Sequence, residues 1–344
     1  MKAVLFLVTL GACIGVDSAP AQTSRLALVY SPGQVALQLT GTVGTVYAIQ
    51  YSTNLSSSNS WVDRTLLKAR ATNYVWTDPS PRVSSNRFYR AVSVVAPADS
   101  TLAFIEPGTF VMGSPTNEIG RNSATETQHT VIISRGFWMG KYLVTQAAYS
   151  SVVGTNPSSF RGDLSLPVES VSWDDATNYC ALRTQQEQAA GLVPTNFVYR
   201  LPTESEWEYA CRAGTTNAFY LGSGLYSGQA NFNGNYGYDS AVGEISSNGI
   251  YLQATSPVGS YSANPWGLYD MIGNVLEWCQ DFYSAQYPAG PVVDPQGGSS
   301  SQRTLRGGYW YAHPMACRSA IRYGYGPTLA NYTIGFRIVL AQRR

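Results

Sequence analysis

At Ala96-Pro-Ala-Asp-Ser-Thr101 the chain changes character, and this break limits the possible folds more than any other feature. Before it, short runs rich in β-branched and aromatic residues are separated by clusters of Gly, Pro, Ser and Asn. Arg25–Tyr30, Gln34–Thr40, Val46–Ser52, Trp61–Leu67, Tyr74–Thr77 and Arg87–Val95 read as strands. That spacing predicts a small all-β sandwich over residues 22–96, with 97–101 as a linker. After the break, Trp, Gly and Arg become more frequent and helix starts appear. Thr145, followed by Ala147, Ala148 and Tyr149, begins the first. Ser172 begins the second, with Asp174 and Asp175 in the first turn where the helix dipole favours acids; it runs to about Ala190. Thr203-Glu-Ser-Glu206 is a capping box for a third, which ends before Gly214. Beyond residue 215 the pattern is loops and short strands, with a last strand at Gly335–Leu340. The expected class is α+β, with a loop-rich domain over residues 102–344 and no internal repeat.

Charge excludes several functions. Cations number 22 and anions 21, a net charge of +1, so nothing electrostatic favours nucleic acid or an anionic membrane. Only Lys2, Lys68 and Lys141 are lysines; the other cations are arginines, suited to fixed planar hydrogen bonding. Charged residues make up 12%, against roughly 25% in ordinary domains. Disorder is not the reason, because the chain holds 24 Tyr, 11 Phe and 8 Trp. Two histidines, His129 and His313, rule out a His-rich metal cage. H-E-x-x-H, the phosphate-binding G-x-x-x-x-G-K-[ST] and C-x-x-C are all absent.

Residues 1–21 read as a signal peptide: Lys2, an apolar stretch from Ala3 to Gly15, and the cleavage pattern Ala19-Pro20-Ala21. The protein is therefore expected to be exported, periplasmic or extracellular. In an alternative reading, Leu10-Gly11-Ala12-Cys13 is a loose lipoprotein box that anchors the chain through Cys13. No later segment has the ~20 apolar residues that span a bilayer. Cleavage after Ala21 leaves Cys180, Cys211, Cys279 and Cys317. An even number in an exported chain points to disulfides, with three possible pairings.

Seven blocks occur in order: Phe110-Val-Met-Gly113; Phe137-Trp-Met-Gly-Lys-Tyr142 with Val144-Thr145; Pro167-Val-Glu-Ser-Val-Ser-Trp-Asp-Asp-Ala176 with Tyr179-Cys180; Arg200-Leu-Pro-Thr-Glu-Ser-Glu-Trp-Glu-Tyr-Ala210; Trp266-Gly-Leu-Tyr-Asp-Met-Ile-Gly-Asn-Val-Leu-Glu-Trp278; Leu305-Arg-Gly-Gly308; and Gly335-Phe-Arg337. Over about residues 102–341 the chain resembles the formylglycine-generating enzyme, or sulfatase-modifying factor, family. The resemblance implies a loop-rich, C-type-lectin-like α+β domain. Active members hold copper between two cysteines just after a C-terminal Gly-Gly-Ser, and with oxygen they oxidise a sulfatase cysteine to formylglycine. Cu(I) is soft and prefers thiolate sulfur. In this sequence that Ser is Tyr309, and the first cysteine's position is Ala312. A gapless count places Cys317 at the second; aligning the following Arg-rich strand instead makes Cys317 structural.

One thiolate cannot supply a bis-thiolate copper site. The resemblance therefore implies a member without the catalytic pair, binding an unknown protein or glycan, with copper not expected. The alternative is an oxidase acting on an exported sulfatase through Cys317. A third reading, an iron-dependent sulfoxide synthase, needs three histidines and a helical partner domain, which this chain lacks. The resemblance further implies a Cys211–Cys317 disulfide, leaving Cys180 and Cys279 paired or free. It implies a structural calcium loop with the side chains of Asp270 and Glu277 and the carbonyls of Gly273 and Val275; the alternative is a turn in which Asp270 caps its own backbone. A weaker second site would start at Asn231 and Phe232, without an acidic partner near Ile250. Tyr47–Asn54, Trp61 and Arg87-Phe-Tyr-Arg90 resemble fibronectin-type-III-like modules, which implies a spacer.

Between Tyr309 and Thr333 the chain concentrates Tyr and Arg, the residues that dominate binding hot spots. Tyr309, Tyr311, His313, Arg322, Tyr323 and Tyr325 are the candidate ligand-binding residues, while Trp310 and Arg318 are expected to be structural. The frame Arg306-Gly-Gly-Tyr-Trp310, Cys317-Arg-Ser-Ala-Ile-Arg322 and Gly335-Phe-Arg337 also resembles that of C-type-lectin-like proteins diversified between fixed positions.

Overall fold

The structure, a computed structural model, describes residues 25–29, 35–55, 60–70, 74–79 and 87–343. The signal peptide and Cys13 lie outside these residues. The chain forms two compact units: one holds residues up to 98 with the short stretches 106–108 and 134–137, the other 99–105, 109–133 and 138–343.

The first unit contains two three-stranded antiparallel sheets. Val35–Thr40 lies between Arg25–Val29 and Tyr74–Asp78, and Val46–Ser52 between Val62–Lys68 and Phe88–Val94. Side chains alternate across a strand, so Leu37 and Leu39 share one face and Tyr47 and Ile49 another. Together with Leu67 and Trp76 these residues make a single apolar core. Each such side chain contributes about 1.5–3 kcal/mol when removed from water. The buried Asp78 carboxylate is held by Arg64, Arg87 and the Tyr89 hydroxyl.

In the second unit, each helix begins at its local start signal. Helix α1, Gln146–Val153, is capped by Thr145, whose hydroxyl accepts the Ala148 N–H at 3.1 Å, and it stops at Gly154 in the left-handed conformation. Helix α2, Trp173–Ala189, opens with a reciprocal box between Ser172 and Asp175. Its buried residues Ala176, Tyr179, Cys180 and Thr184 recur at helical spacing, and Tyr179 stacks on Tyr149 with ring centroids 5.6 Å apart. Helix α3, Glu204–Arg212, opens with the box between Thr203 and Glu206. Every residue of α3 is buried, so its polar side chains must find partners inside the protein.

Two four-stranded sheets frame these helices. One runs Phe197–Arg200, Val339–Gln342, Phe137–Gly140, Leu102–Ile105; the other runs Tyr323–Tyr325, Arg303–Arg306, Leu276–Phe282, Ile334–Gly335. The single closing strand expected at Gly335–Leu340 is therefore two. Ile334–Gly335 pairs with one sheet, and the chain leaves it at residues 336–338 before Val339–Gln342 joins the other. The break places Arg337 inside, against Glu277. No helix among the described residues is long and apolar enough to cross a membrane.

Candidate functional site

The C-terminal segment that carries the candidate site is held by buried ion pairs. Arg306, which ends the strand Arg303–Arg306, reaches Glu208 of α3 and the carbonyls of Ala320 and Ile321. Arg318 grips both oxygens of Glu126 at 2.8 and 2.9 Å and also bonds Glu118. Arg337 grips both oxygens of Glu277 at 2.5 and 2.9 Å. Arg322 does the same to Glu204 at 2.7 and 2.6 Å, with its guanidinium 4.1 Å from the Tyr287 ring centre. Planar forks matched to carboxylates explain the preference for arginine over lysine. They also correct one expectation: Arg322 is buried and turned inward, so it does not belong to a displayed surface. Its alternative, exposure, would cost Glu204 its two-pronged partner and leave it only Arg306 at 3.7 Å and the Tyr287 hydroxyl at 3.3 Å.

The cysteines occupy the interior. Cys317 is fully buried at the end of the 3-10 turn Pro314–Cys317, with its sulfur 3.7 Å from the His313 carbonyl. Gly308 lies directly above it: φ is +81°, and a Cβ there would sit 2.5 Å from the Cys317 sulfur. Burial pushes the Cys317 thiol up to about 12, so it is neither thiolate nor nucleophile at neutral pH. Ala312 is buried as well, and its N–H donates to the Tyr309 carbonyl. Cys211 lies on α3 with its sulfur 3.6 Å from the Ser319 hydroxyl and 3.7 Å from the Met271 carbonyl. The expected Cys211–Cys317 disulfide is not formed, because the two thiols face different neighbours. Cys180 and Cys279 are free and buried too.

The turn over residues 270–277, where the resemblance implies calcium, is tightly built. Asp270 and Asn274 adopt positive φ, and at Gly273 (φ +75°) a Cβ would meet the Asn231 carbonyl oxygen at 2.2 Å. Glu277 accepts from Arg337 and from the Trp207 indole N–H at 2.9 Å. Three donors occupy three of its roughly four lone-pair directions, leaving one on Oε1. Asp270 is buried and accepts the Gly259 N–H at 2.7 Å, and burial pushes its carboxyl up to about 6. Asn231 donates to the Ala254 carbonyl and the Asn274 side chain, which leaves its own buried side-chain oxygen without a partner. Phe232 is buried beside it in sequence. Among the described residues no three His, Cys, Asp or Glu side chains gather around a metal position. The donor set therefore fits a hard cation only with backbone oxygens supplying much of the coordination.

Above this interior lies an aromatic surface. The Tyr311 ring stands nearly perpendicular to Tyr309 and Trp310, with centroids 4.5 and 4.6 Å away. Trp310 is buried and donates its indole N–H to the Tyr332 carbonyl. Phe160 meets Trp310 edge-on at 5.5 Å, and Tyr251 lies over it at 6.3 Å. His313 is exposed, stacks on Tyr236 at 4.1 Å and shares a 2.8 Å hydrogen bond between its Nδ1 and Glu244. Tyr323 is half-buried beneath the turn, with its hydroxyl donating to the Ala316 carbonyl at 3.4 Å; Tyr325 is exposed. Thus Tyr309 and Tyr311 come together, His313 lies next to Tyr236, and Arg322 is absent from the group. Tyr332, Phe160, Tyr251 and Tyr236 were missed. Tyr332 lies within the Tyr-rich segment and could have been found there; the others come from distant segments without any local signal.

The family description sulfatase-modifying factor enzyme 1-like domain matches residues 92–342. The formylglycine-generating enzyme of Streptomyces coelicolor is 35% identical over 185 residues, 52% of this chain and 54% of that protein. A Bos taurus protein named inactive C-alpha-formylglycine-generating enzyme 2 is 29% identical over 235 residues, 67% of this chain and 65% of its own length. The chain thus spans roughly half to two thirds of these curated relatives. Among solved structures, PvdO from Pseudomonas aeruginosa superposes with a TM-score of 0.57 at 26% identity, covering 70% of this chain and 93% of that one. On the match over residues 92–342, with the buried arginine frame and the turn at Gly307-Gly308 that it encloses, the chain belongs to the sulfatase-modifying factor enzyme 1-like domain family.

Proposed function

We propose that this protein is a non-catalytic binding protein, exported from the cell, which uses the family scaffold to present an aromatic surface. One observation carries the reading. The segment that would have to supply two copper-binding thiolates has Ala312 at one position and a fully buried, neutral Cys317 for the other. A pair of thiolates is what Cu(I) requires. The Bos taurus relative supports the reading, since it aligns over 67% of this chain under a name that denies it activity. We read the first unit as a fibronectin-type-III-like spacer, and calcium as a structural ion at Asp270, Glu277, Gly273 and Val275. A buried carboxylate at Asp270 whose charge is disfavoured is a place where a divalent cation would be welcome.

The test is conversion of a Cys-x-Pro-x-Arg peptide by the purified protein with Cu(I), a thiol reductant and oxygen, read by mass spectrometry. An authentic formylglycine-generating enzyme serves as positive control. No aldehyde, with the control active, is the expected outcome. Aldehyde above background overturns the reading in favour of a sulfatase-directed oxidase.

A further inference from the structure

We infer that the surface formed by Tyr309, Tyr311, Tyr332 and their neighbours binds a neutral carbohydrate; this rests on reading that surface as the ligand-binding face. Three observations lead there.

The first is charge. From Tyr309 to Thr333 the chain contains no Asp, Glu or Lys, and its only ionisable cations are His313, Arg318 and Arg322. All three are engaged: Arg318 with Glu126 and Glu118, Arg322 with Glu204, His313 with Glu244. The two arginines are also buried. An acidic ligand would find no spare cation on this segment, and a basic one no carboxylate. Moving a charged group onto such a surface would cost hydration with nothing to replace it. The complementary ligand is neutral.

The second is the way the rings meet. Tyr309, Trp310 and Tyr311 touch at 4.5–4.6 Å between centroids, and Phe160 closes against Trp310 at 5.5 Å. Rings in mutual contact leave no slot between them for a peptide side chain. Nor do they leave the open cage that a quaternary ammonium needs. They offer instead a stiff tiling of ring edges and faces, continued by Tyr332, which is 45% exposed. A ligand must lie across it.

The third is the hydroxyl group. The rings of Tyr309 and Tyr332 each contact that of Tyr311, so phenol hydroxyls sit beside apolar ring faces. A neutral phenol both donates and accepts. A pyranose presents an apolar C–H face and a rim of hydroxyls, the same combination in reverse. Tyr loses little conformational freedom when it makes such contacts.

The experiment is isothermal titration of the full chain with cellohexaose, laminarihexaose, xylohexaose, mannohexaose and chitohexaose, and with heparin as a charged polymer. At least one neutral oligosaccharide should bind and heparin should not. Tyr332→Ala and Tyr311→Ala should each weaken binding by about 10-fold or more, and Tyr332→Phe, which keeps the ring, by less. Tyr332 is exposed, so its variants test the surface even if Tyr311→Ala destabilises the fold. Silence from every neutral oligosaccharide up to about 10 mM, a regime of millimolar affinity, overturns the inference. So does binding that the Tyr332 variants leave unchanged. Capture of a neutral peptide at Tyr332 in place of sugar would overturn the carbohydrate assignment and leave the binding function standing. Aldehyde formation in the peptide assay would instead remove the binding function itself.

Discussion

Replacing Arg318 with Met should be among the most damaging single changes in the second unit. The guanidinium is fully buried and holds both oxygens of Glu126, which is itself fully buried, and one oxygen of Glu118. It also donates to the carbonyls of Gly120 at 2.7 Å and Met315 at 3.0 Å. Met fills similar space without any donor. Glu126 would keep only the Ser114 hydroxyl at 2.7 Å among the hydrogen bonds seen here. Removing one partner of a buried pair costs about 3–5 kcal/mol, because the remaining charge stays buried. The two orphaned carbonyls put the expected loss at the upper end, roughly 5 kcal/mol. Urea unfolding of the second unit, followed through the buried Trp207 and Trp278, provides the assay. With a slope of about 3 kcal/mol/M, the midpoint should fall by roughly 1.7 M. Adding Glu126→Gln to the Met variant should recover about half the loss, since the uncompensated charge is then gone. A loss below about 1 kcal/mol, or no recovery with Glu126→Gln, would refute the view that a buried ion pair holds the segment in place.

Other outcomes follow from the same geometry. Burial, with Glu204 close by, pushes Asp281 up to about 7. The native state thus keeps a proton that the unfolded chain releases near 4, and this contribution to stability is present at acid pH and is lost as pH rises through about 7. Wild type should therefore lose stability relative to the non-titrating Asp281→Asn from pH 5 to pH 8, and a constant difference would contradict the assignment. None of Cys180, Cys211, Cys279 and Cys317 should react with a thiol reagent in the native protein, and all four should react after unfolding without reductant. Fast native labelling of Cys317 would reopen the oxidase reading. Chelation with EDTA should lower the melting temperature of wild type and not of Glu277→Ala, by an amount worth about 3 kcal/mol if calcium is present at a hundred times its Kd. An unchanged wild-type melting temperature would remove calcium from the account.

Local signals carried much of the architecture. The caps at Thr145, Ser172 and Thr203 start helices where the sequence places them, because a cap and the N–H it satisfies lie within three residues. The six strands of the first unit fall within a residue or two of their expected bounds, since alternation and turn residues are also local. The aromatic segment after Gly308 was legible as unusual.

Chain-distant partners decided the rest. The many arginines announce fixed hydrogen bonding, and Arg183, Arg200 and Arg212 take carboxylates four to six residues away, but other partners are not written nearby: Arg318 pairs with Glu118 and Arg337 with Glu277, far along the chain. That pairing breaks the closing strand at residues 336–338, because Arg337 must turn inward where a continuous strand would carry it past Glu277. Pairing with Glu204 likewise withdraws Arg322 from the surface. Cys211 and Cys317 could be counted in the sequence, but whether two sulfurs meet depends on which loops pack between them. Phe160 and Tyr251 join the Trp310 surface from two separate, much earlier parts of the chain. Short-range hydrogen bonding and side-chain periodicity are properties of a segment. Charge compensation and the faces left open to a ligand belong to the packed whole, because burying one carboxylate fixes where an arginine must go.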